Sequence, residues 1–307
     1  MTGAGKDFED PLDRLTVEED WSNRSKEIEA DVVRQRRALR ARRLFPRLRA
    51  SRPQRGGGIS PIFIGLVLAT AASGWLLWSE TGPAQAAVFV FVLCGWLVSL
   101  CLHEFSHAFT ALRGGDHTVA EKGYLTLNPV KYGHPVLTVL LPVLFLIGGG
   151  IPLPGGAVMI ETHRLRNRLR DSLVSFAGPL VNIVCAGVLL TVLSIAGPDA
   201  IFSLEEPRAA FWSALTLMAY LQIATAVLNL LPIPGLDGYG VIGPYLPDSA
   251  RAFARSILPF GMLIVFMVVL LPPVRAAFTF VTGAIMDAAH APVNGLYYGF
   301  QLFQFWG

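Results

Sequence analysis

The sequence contains little charge for its length. Asp, Glu, Lys and Arg make up 15% of its 307 residues, whereas about 25% is typical of soluble domains. This shortage excludes an ordinary water-soluble globule, because such a chain could not solvate its own surface. The charges are also clustered, and long stretches contain none. The uncharged stretches are residues 56–79, 81–102, 135–160, 172–197, 209–236, 256–274 and 291–307.

Most of these stretches are long enough to cross a bilayer, because a spanning helix needs about 20 apolar residues. We therefore expect an all-α polytopic membrane protein with about five to six transmembrane helices. The expected spans are residues 59–79, 84–112, 172–196, 209–231 and 256–273, with a sixth in 276–307 left open.

Stretch 135–160 is rich in Pro and Gly and differs from the others. If it spanned, the basic sequence HRLRNRLR at 163–170 would face outward, against the positive-inside rule. We therefore predict a re-entrant segment between the second and third helices, since broken backbone is tolerated where protein covers it. In the connector before it, the sequence YLTLNPV at 124–130 is typical of a strand.

Cysteine is also scarce, and the charge of the N-terminal region is segregated. The three cysteines all lie in apolar stretches, which is typical of buried apolar side chains and not of a disulfide framework. Residues 1–31 contain ten acids and four bases, and residues 32–58 contain ten arginines and no acid. An arginine block beside lipid favours a cytoplasmic N-terminus over a nucleic-acid arm. We predict a charged, partly disordered region at 1–58, a membrane domain at 59–275 and an interfacial segment at 276–307.

The sequence HEFSH lies at the predicted inner end of the second helix. His103 and His107 are four positions apart, so both imidazoles can reach one metal ion from the same helix face. Glu104 beside them can accept a proton during hydrolysis. The motif alone is short enough to recur by chance. However, it follows 22 uncharged residues, and ionisable groups at membrane depth are usually functional.

Asp237 is the candidate for the third metal ligand. It is the first charged residue after the 28 uncharged residues 209–236, and it lies at the predicted inner end of the fourth helix. Pro232 and Pro234 end that helix and allow the following chain to turn towards the bundle. A catalytic zinc site normally has three protein ligands and one open position. Taken alone, Asp237 fits an ordinary interfacial aspartate equally well.

Three motifs follow one another along the chain. They are HEFSH at 103–107, G-P-x-x-N at 178–182 and N-x-x-P-x-x-x-L-D-G at 229–238. In this order the chain resembles the site-2 protease family of intramembrane zinc metalloproteases over about residues 90–245. The spacing leaves no room for a PDZ insert between the motifs, which is typical of the compact bacterial members without PDZ or CBS domains.

The resemblance implies one zinc ion per chain, held by His103, His107 and Asp237, with Glu104 as general base. It also makes Asn182 and Asn229 candidates for binding substrate or stabilising the reaction intermediate, although a packing role fits Asn182 almost as well. The implied activity is hydrolysis of peptide bonds in or near transmembrane segments of a single-span membrane protein or peptide.

The uncharged stretches and the positive-inside rule predict where the protein lies in the cell. The chain would be a multi-pass cell-membrane protein with its site near the cytoplasmic leaflet of the lipid bilayer, and no nucleic-acid partner is expected. Two alternatives use the same residues: a metal or proton transporter, and a catalytically silent relative that binds membrane partners.

Overall fold

The computed structural model describes residues 58–132, 143–144, 146–147 and 158–304, with Glu29 and Val33. The regular structure of these residues is helical, which confirms the all-α class. The short 3-10 helices are Tyr124–Thr126, Pro129–Lys131, Thr162–Arg164, Gly243–Tyr245 and Leu258–Phe260. The α-helices are α1 Pro61–Trp78, α2 Ala84–Gly114, α3 Thr118–Glu121, α4 Arg168–Ala196, α5 Ala209–Asn229, α6 Asp237–Ile242, α7 Asp248–Ile257, α8 Gly261–Leu270, α9 Pro272–Ala288 and α10 Val293–Phe303.

Four helices, α1, α2, α4 and α5, are long and apolar enough to cross a membrane. Local sequence explains where they begin and end. Ser60 caps α1 by accepting a hydrogen bond from the Ile62 amide, and Asn167 caps α4 in the same way. Gly115 ends α2 at φ 123°, a conformation that favours glycine. These four helices correspond to the first four predicted spans.

Helix α5, which corresponds to the fourth predicted span, lies at the centre of the bundle. Of its most apolar 18-residue window 83% is buried, against 17% for α1 and 22% for α4. It packs against α2, α4 and α10, while α2 also packs against α1 and α4. The chain therefore surrounds α5 with its neighbours and leaves broad apolar faces of α1 and α4 for lipid.

The C-terminal part differs from the predicted fifth and sixth spans. Helix α8 has 10 residues, and it meets α9 at an 82° bend. A 10-residue helix is about 15 Å long and cannot cross a 30 Å core. The bend follows from Pro272 and Pro273, which lack amide hydrogens and force the preceding residue out of helical geometry. Among the residues that the structure describes, four helices are thus long and apolar enough to cross a membrane, or five if the bent pair counts as one span, compared with about five to six expected.

The strand expected at residues 124–130 is wrong. This part forms two 3-10 helices, separated by Leu127 at φ 52° and preceded by Gly123 at φ 76°. Asn128 accepts a hydrogen bond from the Val130 amide and begins the second turn at Pro129. These turn residues outweigh the alternating pattern, because an Asn–Pro pair favours turns over strands.

Two predictions fall largely outside the described residues. The charged region 1–58 is represented there only by Glu29, Val33 and residue 58. Of the predicted re-entrant segment 135–160, the structure describes residues 143–144 and 146–147, which are helical, and residues 158–160. Both stay predictions.

Candidate metal centre and active site

The C-terminal half of α2 places three ionisable side chains inside the bundle. His103, Glu104 and His107 are 5%, 3% and 5% exposed. Ser99, His103 and His107 are successively four residues apart, so they line one face of the helix. That face meets α4, where Val174, Gly178 and Asn182 follow the same spacing. Two matched helix faces therefore build the centre of the site.

The turn after α5 brings Asp237 to this face. Pro232 cannot continue the helix, and Gly235 at φ 103° reverses the chain before α6 begins at Asp237. A Cβ at Gly238 would lie 2.2 Å from the carbonyl oxygen of Leu230. Glycine in the L-D-G motif thus allows α6 to pack tightly against the end of α5, which aims the Asp237 carboxylate at the histidines.

Three potential metal ligands converge. The Asp237 carboxylate lies 3.2 Å from His103 Nε2 and 3.4 Å from His107 Nε2, and the two nitrogens are 3.1 Å apart. Ligands around a tetrahedral zinc, with bonds of about 2.0–2.1 Å, are separated by about 3.3–3.4 Å. The spacing of His103, His107 and Asp237 therefore fits one zinc ion, as the motif predicts.

The hydrogen bonds of the two imidazoles also fit a cation. His107 Nδ1 is 2.7 Å from the carbonyl oxygen of Val174, which can only accept, so this nitrogen must carry the hydrogen. His103 Nδ1 is 2.6 Å from Asn182 Oδ1. If both Nδ1 atoms donate, both Nε2 atoms present lone pairs to the Asp237 carboxylate. Three acceptors at this distance are satisfied by a shared positive ion.

Gly178 explains why the second motif contains glycine. A Cβ at this position would lie 2.2 Å from His107 Nε2 and 2.5 Å from His103 Nε2. Real Cβ contacts do not become this short, so any side chain here would displace the imidazoles. The backbone of α4 therefore forms one wall of the metal centre.

Glu104 is buried beside the metal centre and contacts the segment that precedes α4. The Val158 amide donates a hydrogen bond to Glu104 Oε2 over 3.2 Å. Two further bonds hold this segment against the connector after α2: Lys122 Nζ donates to the Met159 carbonyl, and the Glu161 amide donates to Asp116 Oδ2, both over 2.9 Å. Residues 158–161 are thus fixed along the edge of the site.

Asp116 is the buried anchor of this arrangement. Its Oδ1 atom accepts hydrogen bonds from the Thr118 amide and hydroxyl, and its Oδ2 atom accepts from Glu161. Burial raises the pKa of Asp116, but the hydrogen bonds from Thr118 and Glu161 outweigh burial and hold this pKa below its ordinary value. The carboxylate therefore stays charged and keeps the connector attached to residues 158–161.

A cavity of about 170 Å³ opens onto the imidazoles, Glu104 and Asp237. This volume holds several water molecules. Asn182 and Asn229 also line it. Both polar atoms of Asn182 are bonded to protein, whereas the Asn229 amide makes no hydrogen bond to any residue that the structure describes. Of the two predicted asparagines, Asn229 is the one with an amide available to a ligand.

The structure brings together all six site residues that the sequence predicts. Sequence reasoning missed three further contributors to the site. Gln222 accepts a hydrogen bond from Asn182 and donates one to Ser99, and the Val158 amide donates one to Glu104. Gln222 had a detectable signal, because it is an amide inside an uncharged stretch and lies two helical turns before Asn229. No pattern in the sequence indicates the contact between Val158 and Glu104.

The chain resembles several known proteins over most of its length. Rip2 of Mycolicibacterium smegmatis is 45% identical over 252 residues, which cover 80% of this chain and 94% of the relative. Rip2 of Mycobacterium tuberculosis strain H37Rv is 44% identical over 253 residues, with the same coverage. YwhC of Bacillus subtilis is 33% identical over 180 residues, covering 58% of this chain and 78% of the relative. The names of all three designate candidate zinc metalloproteases. No solved structure matches the chain significantly.

A family profile matches the part of the chain that contains every motif of the site. Residues 90–272 match the profile of peptidase family M50, a range that contains the HEFSH sequence, the Gly178–Asn182 wall and Asp237. The chain belongs to peptidase family M50.

Proposed function

We propose that this chain, a zinc metalloprotease of family M50, hydrolyses peptide bonds within or next to membrane-spanning helices of other proteins. The observation that carries the proposal is the convergence of two imidazoles, Asp237 and Glu104 on one cavity at the end of α2, a helix apolar enough to span. Membership of a peptidase family favours this function over metal or proton transport. The presence of Glu104 beside all three ligands speaks against a catalytically silent relative.

The chemistry divides between the metal and Glu104. One zinc ion per chain would be held by His103, His107 and Asp237, where it would polarise the substrate carbonyl and stabilise negative charge on its oxygen. Glu104 lies beside them, placed to take a proton from the attacking water and to return it to the leaving amine. The Asn229 side-chain amide, which makes no hydrogen bond to the residues that the structure describes, can donate one to the developing oxyanion.

The substrate must expose its backbone to reach this cavity. A helical substrate has its carbonyls occupied by intrahelical hydrogen bonds, so it must unwind locally. Ile160 and Gly235 line the cavity, and their backbone groups are not among the hydrogen bonds that fix the described residues around them. They offer backbone that can bind the unwound strand by β-pairing. The expected partner is thus a single-span membrane protein or peptide with helix-breaking residues near the cleavage point.

Charge at the two ends of the bundle supports a cytoplasmic site. The end that contains the site is basic, with seven Lys or Arg where α2 ends and α4 begins, whereas the opposite loops between the four spanning helices have one, Arg208. The Ser60 amide bonds to the Thr126 carbonyl, so the start of α1 lies at the basic end. By the positive-inside rule, the N-terminus and the site both face the cytoplasm. The basic residues are Arg113, Lys122, Lys131, Arg164, Arg166, Arg168 and Arg170.

The test uses the full chain in lipid vesicles, a single-span reporter protein and zinc analysis of the same sample. Glu104→Gln should retain zinc and lose cleavage by about 100-fold or more, because an amide cannot accept the proton. Glu205→Gln, the same replacement in an exposed loop, should cleave like the wild type. Normal cleavage by Glu104→Gln would refute the assigned base.

Mass spectrometry of the products tests the substrate class separately. The proposal expects cuts within or beside the membrane-spanning helix of the reporter. If the enzyme cuts the soluble domains of the reporter and leaves the inserted helix intact, it is a protease but the intramembrane proposal is wrong.

A further inference from the structure

A row of buried polar side chains leads from His103 into the apolar bundle. It consists of Asn182 on α4, Gln222 on α5 and Ser99 on α2, and we call these three residues the polar row. They are 1%, 1% and 6% exposed. The Asn182 amide nitrogen lies 3.0 Å from Gln222 Oε1, and Gln222 Nε2 lies 2.9 Å from Ser99 Oγ. Burying a polar side chain costs free energy unless its hydrogen bonds are made inside the protein. Three such side chains in an apolar bundle therefore point to a specific role.

The far end of the polar row gives it a direction. Ser99 Oγ lies 2.8 Å from the carbonyl oxygen of Trp96. A carbonyl only accepts, so the Ser99 hydroxyl donates to it and offers its lone pairs to Gln222. Gln222 must then present its amide hydrogens to Ser99 and its oxygen to Asn182.

The same reasoning continues to the metal centre. Because Gln222 presents its oxygen, Asn182 must present its amide hydrogens to it, which leaves Asn182 Oδ1 facing His103. His103 must donate from Nδ1, and its Nε2 atom then carries the lone pair that a metal requires. Reversing the row would break the Ser99–Trp96 bond and put a hydrogen on His103 Nε2.

The two histidines differ in how they are held. His107 donates directly to the Val174 backbone carbonyl, which cannot change its polarity. His103 depends on an Asn amide, which could turn over and offer hydrogens in place of its oxygen. Gln222 and Ser99 remove this freedom, which explains why polar side chains continue from Asn182 into the apolar bundle.

We propose that Gln222 and Ser99 are positioning residues that fix the orientation of the Asn182 amide and, through it, the metal-binding tautomer of His103. This inference rests on the zinc role of His103 proposed above. It predicts that changes two and three side chains away from His103 weaken metal binding, although neither residue contacts the metal.

The experiment measures zinc affinity by competition with a chromophoric chelator, together with the absorption spectrum of the cobalt-substituted full chain in detergent. Gln222→Met keeps the length of the side chain but removes both polar atoms. We expect a 10- to 100-fold loss of zinc affinity, the range typical when a second layer of ligand contacts is removed, and an altered cobalt spectrum. Thr216→Val removes a buried hydroxyl of α5 that donates to the Trp212 carbonyl within the same helix, and it should leave both readouts unchanged.

Ser99 provides a second, milder test that does not depend on the folding of the Gln222 variant. Ser99→Ala should weaken zinc binding, whereas Ser99→Thr, at a position that lines two cavities, keeps the hydroxyl and should restore it. Wild-type zinc affinity and cobalt spectra in both Gln222→Met and Ser99→Ala would overturn the proposal. So would a loss of thermal stability with both readouts unchanged. Retention of zinc by His103→Ala would instead refute the metal site itself.

Discussion

Gly178→Ala places a methyl group between the two imidazoles of the metal centre. The new carbon would lie 2.2 Å from His107 Nε2, whereas carbon contacts require about 3.5 Å, so the groups must separate by about 1 Å. The histidines cannot simply turn away, because their Nδ1 atoms are bonded to Asn182 and Val174 on the same helix as Gly178. Zinc–nitrogen bonds are about 2.0–2.1 Å long, so a displacement of this size would break them.

We therefore expect Gly178→Ala to lose stoichiometric zinc and to reduce cleavage by about 100-fold or more, since a displacement of about 1 Å in an active site can have this effect. Zinc is measured by elemental analysis of the purified chain, and cleavage by initial rates on a single-span reporter. The matched control is Gly187→Ala on the same helix, where a Cβ would meet nothing within 4 Å. Wild-type zinc content and cleavage in Gly178→Ala would refute the geometric reasoning.

Three further predictions concern the supports of the site. Gly238→Ala should displace α6 and weaken zinc binding, because its Cβ would lie 2.2 Å from a carbonyl oxygen at the end of α5; chelator competition measures this. Asp116→Asn should lower the free energy of unfolding by about 1–3 kcal/mol, since the new amide hydrogens face the Glu161 amide. Because the folded pKa of Asp116 is lowered, its contribution is complete above the ordinary carboxyl pKa of about 4 and is lost as the pH falls below it. Thermal unfolding between pH 3 and 7 should therefore be less acid-dependent in the variant, and equal acid dependence would contradict the role of Asp116. Asn167→Ala should lower the free energy of unfolding by about 1 kcal/mol through loss of the α4 cap, without changing zinc content.

The metal ligands could be predicted because their geometry is mostly local. The four-residue spacing of His103 and His107 is converted to one helix face by the helical period alone. Asp237 was only a candidate from its predicted depth, because it follows an uncharged stretch that ends on the same side of the membrane as HEFSH, and the family resemblance was needed to make it the third ligand. The structure adds the reason for its orientation, which is the turn at Gly235 and the close packing of Gly238.

The polar row could not be predicted as a unit, because its bonds join three different helices. Gln222 stands out in the sequence, but its partners depend on how α2, α4 and α5 pack. The C-terminal spans were predicted from absence of charge, and that criterion missed the effect of Pro272 and Pro273 on helix direction. In the connector, the alternating pattern hid the turn chemistry of Asn128.

Zinc K-edge X-ray absorption of the purified full chain tests the central claim most directly. The account predicts nitrogen and oxygen ligands at about 2.0–2.2 Å, with one imidazole lost in His107→Ala and the carboxylate lost in Asp237→Ala. His117→Ala, at an exposed histidine of the connector, should leave the spectrum unchanged. A sulfur ligand at about 2.3 Å, or an unaltered spectrum in the His107 and Asp237 variants, would contradict it.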